Sequence, residues 1–153
     1  MLIEQLFSAY LGELYGIAFF TAFAEKYSDD NHINKWQKLI LVERITAQHL
    51  KSGLEKLGVE CPDRHLEMEQ KGRLDAEKWL SLEWPVLVDT MASWVEPYAL
   101  KYRQQAQQAQ AHLALYQLVQ AHEDAILAFL HAEQRQDKNS LAALDRFLSC
   151  YHG

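Results

Sequence analysis

Apolar residues recur at three- and four-residue steps along most of the chain, the period of helices that bury one face. The first run covers residues 2 to 27, where Leu2, Leu6, Tyr10, Ile17, Phe20, Ala24 and Tyr27 share a face. Glu13 falls in the same series, between Tyr10 and Ile17. Ser28-Asp29-Asp30-Asn31 ends this helix and offers caps to the next. The second helix is predicted over residues 32 to 57, with the stripe Trp36, Leu39, Glu43, Thr46, Leu50 and Leu57, and Gly58 as its stop. An acid again holds a stripe position. Val59-Glu60-Cys61-Pro62-Asp63 reads as a turn.

Residues 64 to 82 alternate charge and apolarity and read as a short helix or an irregular crossover. Pro85 suits the first turn of a third long helix, on which Val86, Asp89, Ser93 and Leu100 share a face. Pro97 is expected to kink or split that helix, because proline lacks the N–H that the helical ladder needs. The glutamine-rich stretch from Gln104 to Gln110 has strong helix propensity and no turn residue. Four helices that fold back on one another still need a turn near it, and the pattern does not place that turn. A fourth long helix follows over residues 111 to 134, with Leu115, Leu118, His122, Ala125, Ile126 and Phe129 on its inner face. Asn139-Ser140 then caps a short last helix from Leu141 to Cys150. With no fixed-length repeat, linker or low-complexity tail, the expectation is an all-α chain forming a single domain over residues 1–153.

Composition alters this picture little. A chain of 153 residues with 49% hydrophobic and 24% charged residues is long enough and apolar enough to bury a core without staples. The net charge of −6 argues against a nucleic-acid partner, which requires a basic surface. Cys61 and Cys150 have no metal-ligand spacing and are read as free thiols in a reducing cytosol, with a disulfide as the other reading. The apolar N-terminus lacks the basic start of a signal peptide, and Glu4 and Glu13 interrupt it. It is read as too broken to span a bilayer, hence as the first helix of a cytoplasmic protein with no membrane partner.

Phosphate loops, nucleophile elbows and Cys-x-x-Cys pairs are missing from the sequence. Only Cys150-Tyr151-His152 sets a histidine beside a cysteine. His32, His65, His112 and His131 are expected at the surface, and Trp36, Trp79, Trp84 and Trp94 as core or interface fillers. Trp84 and Trp94, near Pro85, could instead line a pocket or a contact between copies; a homodimer is the expected assembly.

The polar residues on apolar stripes carry the chemistry. Glu13, Glu43 and the pair His122-Glu123 each stand near the middle of a long helix. In an antiparallel bundle, mid-helix residues share one level. At a rise of about 1.5 Å per residue, boundary errors of two or three residues move that level by only about 4 Å. A buried carboxylate must pair, hydrogen-bond or take a cation. Facing glutamates repel unless a proton or a metal lies between them. Carboxylate oxygens together with imidazole suit iron, manganese or zinc.

The segments LGELYGIAFFTAFAEKY and WQKLILVERITAQHLKSGLEKLG resemble the first half of a ferritin-like four-helix bundle. LVQAHEDAILAFLHAE resembles the last core helix of the same superfamily, and the resemblance covers about two thirds of the chain. It implies an up-down four-helix bundle with a long crossover between helices two and three and a short C-terminal helix. It also implies a metal site carried by glutamates on two helices and Glu-x-x-His pairs on the others.

This chain departs from that pattern. Three residues after Glu43 stands Thr46, and His49, six residues on, lies about 600° around the helix. Val119 precedes His122 by three, and Ile126 follows Glu123 by three. On the third helix Asp89 is the nearest inward acid, off-centre, and Glu96 adjoins Pro97. Glu13, Glu43 and one of His122 and Glu123 are thus the ligand candidates, with Asp89 a weaker fourth. Three functions remain in play. One is a binding or assembly module with a pared-down or lost metal site. Another is a small non-haem iron or manganese oxidase or hydroxylase using Glu13, Glu43 and His122 or Glu123. The third is a bundle that holds a small organic ligand beside these residues without metal. Tyr10, Thr46 and His122 are the expected hydrogen-bond partners of the acids if no metal is held.

Overall fold

Each long apolar run becomes a helix in the computed structural model, which describes residues 2–151. The side chain of Leu2 and the residue His152 lie outside the described part. The helices are α1 (Leu2–Lys26), α2 (Ile33–Lys56), α3 (Leu66–Glu77), α4 (Trp84–Gln108), α5 (Leu113–Gln134) and α6 (Ala142–Tyr151). A single 3-10 turn, Asp30–His32, leads into α2. Among the described residues there is no strand, so the all-α expectation is met: four long helices, a short one between α2 and α4, and a short one at the end. The chain divides into two compact units, Met1–Ser81 and Leu82–Gly153.

In the first unit, α1 packs against α2 and α3. Leu6, Tyr10, Phe19, Phe20, Phe23 and Tyr27 are all buried, a wider apolar face than one stripe. Aromatic rings fill the joint with α2. Trp36 stacks on Phe23 at 4.7 Å and meets Tyr27 edge-on, while Trp79 meets Phe19 edge-on at 5.9 Å. Such pairs add roughly 0.5–1.5 kcal/mol each beyond the area they bury. By length and composition alone, Ile3–Lys26 is apolar enough to cross a membrane, which Glu4 and Glu13 had argued against. Within this unit, packing on α2 and α3 contributes to burying 56% of its apolar window.

The segment between α2 and α3 is held by side chains. Lys51 Nζ donates to the Cys61 carbonyl at 2.7 Å and to Asp63 at 2.8 Å, and Tyr10 donates to the Pro62 carbonyl at 2.6 Å. Cys61 is buried and Cys150 exposed, and both are free thiols. His65 starts α3, its Nδ1 accepting from the Met68 N–H. The helix then lies directly on α1. A Cβ placed on Gly72 would stand 2.5 Å from the Tyr15 carbonyl oxygen and 3.2 Å from the Phe19 nitrogen. Tyr15 donates across the same joint to Asp75 Oδ2 at 2.6 Å.

In the second unit, α4 pairs with α5, and α6 packs on α5. Pro85 sits in the first turn of α4, as expected. Two expectations fail, and of the two outcomes expected at Pro97 the split does not occur. The face named by Val86, Asp89, Ser93 and Leu100 is the outer one: Asp89 and Ser93 are exposed, and Val86 and Leu100 remain about half exposed. Leu87, Val88, Met91, Ala92, Val95 and Ala99 are buried instead. Pro97 does not split the helix. It and Ser93 are both exposed, so the Ser93 carbonyl that loses its intrahelical donor stands on the wet side. Asn139-Ser140 does not cap α6 through the serine hydroxyl, which donates to Glu133 Oε2 at 2.5 Å. Glu133 Oε1 accepts from the Trp84 indole at 2.9 Å, so one carboxylate ties the start of α4 to the end of α5 and the turn after it.

The turn that the sequence left unplaced runs from Ala109 to His112. Ala109 is extended (φ −67°, ψ 129°), and His112 adopts the left-handed region (φ 57°, ψ 35°). That conformation normally favours glycine or asparagine.

Two stability outcomes follow from the α1–α3 joint. Gly72→Ala is expected to lower stability by about 1–3 kcal/mol, because the methyl meets backbone that cannot step aside. Gly12→Ala has open space around its Cβ and is expected to be neutral or to stabilise by up to about 1 kcal/mol. Urea denaturation of both variants checks the pair. For Asp75, burial raises the carboxyl pKa, but the Tyr15 hydroxyl and the Lys78 and Lys71 ammonium groups outweigh it and leave it below the ordinary value. A depressed folded pKa stabilises above the unfolded pKa, and that stability is lost as pH falls through the folded value. Tyr15→Phe should therefore cost about 1 kcal/mol near neutrality and progressively less as the acid limb is descended, in thermal melts across pH.

Candidate metal centre

Glu13 and Glu43 are buried on facing helices of the first unit, α1 and α2, only 2% and 5% exposed. A carboxylate oxygen of one lies within 4.8 Å of a carboxylate oxygen of the other. The stripe positions explain this. Glu13 continues the α1 series through Tyr10, and Glu43 lies between Leu39 and Leu50 on α2, so each must point where its apolar neighbours point. Two unit charges at this separation repel by on the order of 3 kcal/mol at an effective dielectric of about 20. A shared proton or a cation relieves that repulsion.

The Glu43 carboxylate rests on the α1 backbone. A Cβ built on Gly16 would meet Glu43 Cδ at 2.8 Å, Oε1 at 2.8 Å and Oε2 at 2.9 Å. Nearly equal distances to all three atoms mean that the flat carboxylate lies face-on over Gly16. Its lone pairs, which lie in the carboxylate plane, therefore run along α1 rather than into it. Sequence reasoning did not single out Gly16. Its signal was a glycine inside a long helix, where it costs about 1 kcal/mol relative to alanine and so needs a packing reason.

The other expected partners in this unit turn elsewhere. The Tyr10 hydroxyl donates to the Pro62 carbonyl in the α2–α3 segment, which corrects the expectation that it serves the acids. Thr46 is fully buried, but its hydroxyl donates to the Val42 carbonyl of its own helix at 2.8 Å. The position that the Glu-x-x-His pattern would fill with imidazole thus holds a hydroxyl whose proton is taken by the backbone.

In the second unit, His122 is buried on the inner face of α5, as its stripe predicts. Its Nδ1 lies 2.6 Å from the Val119 carbonyl oxygen, which can only accept. Nδ1 therefore carries a proton, and Nε2 is the ring nitrogen turned toward Glu123. A backbone carbonyl holding one ring nitrogen is the usual way a ligating imidazole is oriented. Nε2 is 3.3 Å from Glu123 Oε2. Burial pushes the Glu123 carboxyl above its ordinary range; His122 opposes that shift and Asp124 adds to it. The Tyr102 ring on α4 lies 6.3 Å from the imidazole, and Arg103 pairs with Asp124 at 3.0 Å.

Asp89, the weaker candidate, is exposed and accepts from Gln134 Nε2 at 2.9 Å. It is not an inward acid, because the buried face of α4 lies on Leu87, Val88 and Met91. Glu96 is also exposed. His32, His65, His112 and His131 are half-buried rather than fully exposed. His65 serves as a helix cap, and His32 pairs with Asp29 at 3.2 Å.

The first unit thus supplies two buried carboxylates within bridging distance; the second, taken by itself, carries a buried imidazole oriented by a backbone carbonyl. Paired carboxylate oxygens like those of Glu13 and Glu43 can ligate a divalent ion such as iron, manganese or zinc. No family model matches the chain, and neither a curated protein nor a solved structure matches it.

Proposed function

We propose that this protein is a helical binding module built around a pared-down metal site. A single divalent transition-metal ion is taken by the carboxylates of Glu13 and Glu43, both within the first unit. The ferritin-like ancestry suggested by helix lengths and mid-helix acids belongs to this reading, as does the folding of residues 1–153 as one domain. The observation that carries it is the buried Glu13–Glu43 pair, with oxygens within 4.8 Å on two facing helices. Such a pair is costly without a positive charge, and a divalent ion turns its repulsion into attraction. Thr46, Val119 and Ile126 stand where further ligands of a dimetal centre would be, which favours one ion over two.

A second reading has its own support. A proton in place of the ion would also relieve the acid pair, leaving an assembly module that has lost its metal. Elemental analysis of protein made in medium supplemented with iron, manganese and zinc separates the two. The metal reading predicts close to one equivalent of one of these ions. It also predicts loss of that metal in Glu43→Gln, which removes one of the two charged carboxylates that hold it. Less than about a tenth of an equivalent in the wild type, with Glu43→Gln as stable as the wild type or more so, establishes the proton-sharing relic instead.

A further inference from the structure

Resting on the metal reading, we infer that Gly16 is the residue that positions the Glu43 carboxylate for its ligand. The observation is steric and lies wholly within the first unit. All three heavy atoms of that carboxylate would stand 2.8–2.9 Å from a Cβ at position 16, closer than real Cβ contacts come. The absent methyl is therefore the space the carboxylate occupies. Gly12, one turn earlier on α1, has nothing within 4 Å of its own Cβ position, so the close approach is particular to Gly16.

The geometry has two consequences. Because the carboxylate lies flat on α1, its two oxygens are equivalent toward Gly16 and its donor directions lie parallel to the helix surface. Because Glu43 is anchored on α2 and reaches across to α1, the Gly16 contact fixes the height of its oxygens above the helix that carries Glu13. An alanine methyl would push the group outward by roughly half an ångström, enough to bring it back to ordinary van der Waals contact. The atoms displaced are the end of a flexible side chain, so the fold yields easily while the ligand geometry is lost. Gly16 touches no ligand itself; it acts through Glu43, as a group behind a metal ligand does.

The test uses the full-length chain as wild type, Gly16→Ala, Gly12→Ala, Glu43→Ala and the double variant Gly16→Ala/Glu43→Ala. Free Mn2+ is followed by its aqueous electron-spin signal during titration, and each apoprotein is melted. The expected result is at least about tenfold weaker Mn2+ binding in Gly16→Ala, with Gly12→Ala unchanged. In the melts, Gly16→Ala should lower Tm when Glu43 is present and raise it in the Glu43→Ala background, where the methyl has room and alanine favours the helix. Equal Mn2+ binding by Gly16→Ala and wild type overturns the positioning role and leaves the metal site standing. If wild type takes up no Mn2+, iron or zinc, the metal reading fails instead, and the melts alone decide the contact. Additive Tm shifts overturn it; a reversal of sign upholds Gly16 as the seat of the Glu43 carboxylate.

Discussion

Two carboxylates buried against one another set the terms for the first unit. Glu13 and Glu43 oppose the approach of α1 and α2, yet both are held at that joint by the apolar residues on either side of them along each helix. Neither can swing out to water without taking its stripe along. The penalty has to be offset locally, by aromatic packing and by a charge or a proton between the acids. The Phe23–Trp36 stack and the surrounding edge-on contacts provide the first part. What lies between the carboxylates provides the second.

Two glycines carry the close approaches in this unit, in different ways. Gly72 lets α3 lie on the α1 backbone, where the neighbouring atoms are main chain and cannot move aside. Gly16 makes room for the end of a side chain, which can. A substitution at the first position should therefore be felt in stability, and one at the second in the chemistry of Glu43. The two kinds of contact also divide the helix: one side of α1 is committed to architecture and another to the acid pair.

Most of the architecture was legible in the sequence because it follows from periodicity. The spans of α1, α2 and α5 match their stripes, and the same stripes brought Glu13 and Glu43 together and turned His122 inward. The misreadings have physical causes. On α4 the inner face is built from alanine, methionine, valine and leucine, while Val86 and Leu100 lie outside, so hydrophobicity alone pointed the wrong way and carried Asp89 with it. The Ala109–His112 turn uses no glycine, proline or asparagine, relying on a left-handed histidine that propensity does not foresee. Tyr10 and Thr46 have the right positions to serve the acids, but their hydroxyls are taken by nearby carbonyls. The role of Gly16 was hidden because a glycine's contact is defined by the group opposite it, which only the folded chain reveals.

The central claim is that the space between Glu13 and Glu43 is a cation seat rather than a proton-sharing relic. Anomalous diffraction from crystals equilibrated with Mn2+ or Zn2+ addresses it most directly, since it locates the ion instead of counting it. The account predicts an anomalous peak about 2.0–2.2 Å from an oxygen of each glutamate, with the Glu43 carboxylate still flat over Gly16. A map with no peak there, and the two carboxyls in direct hydrogen-bond contact, would contradict it.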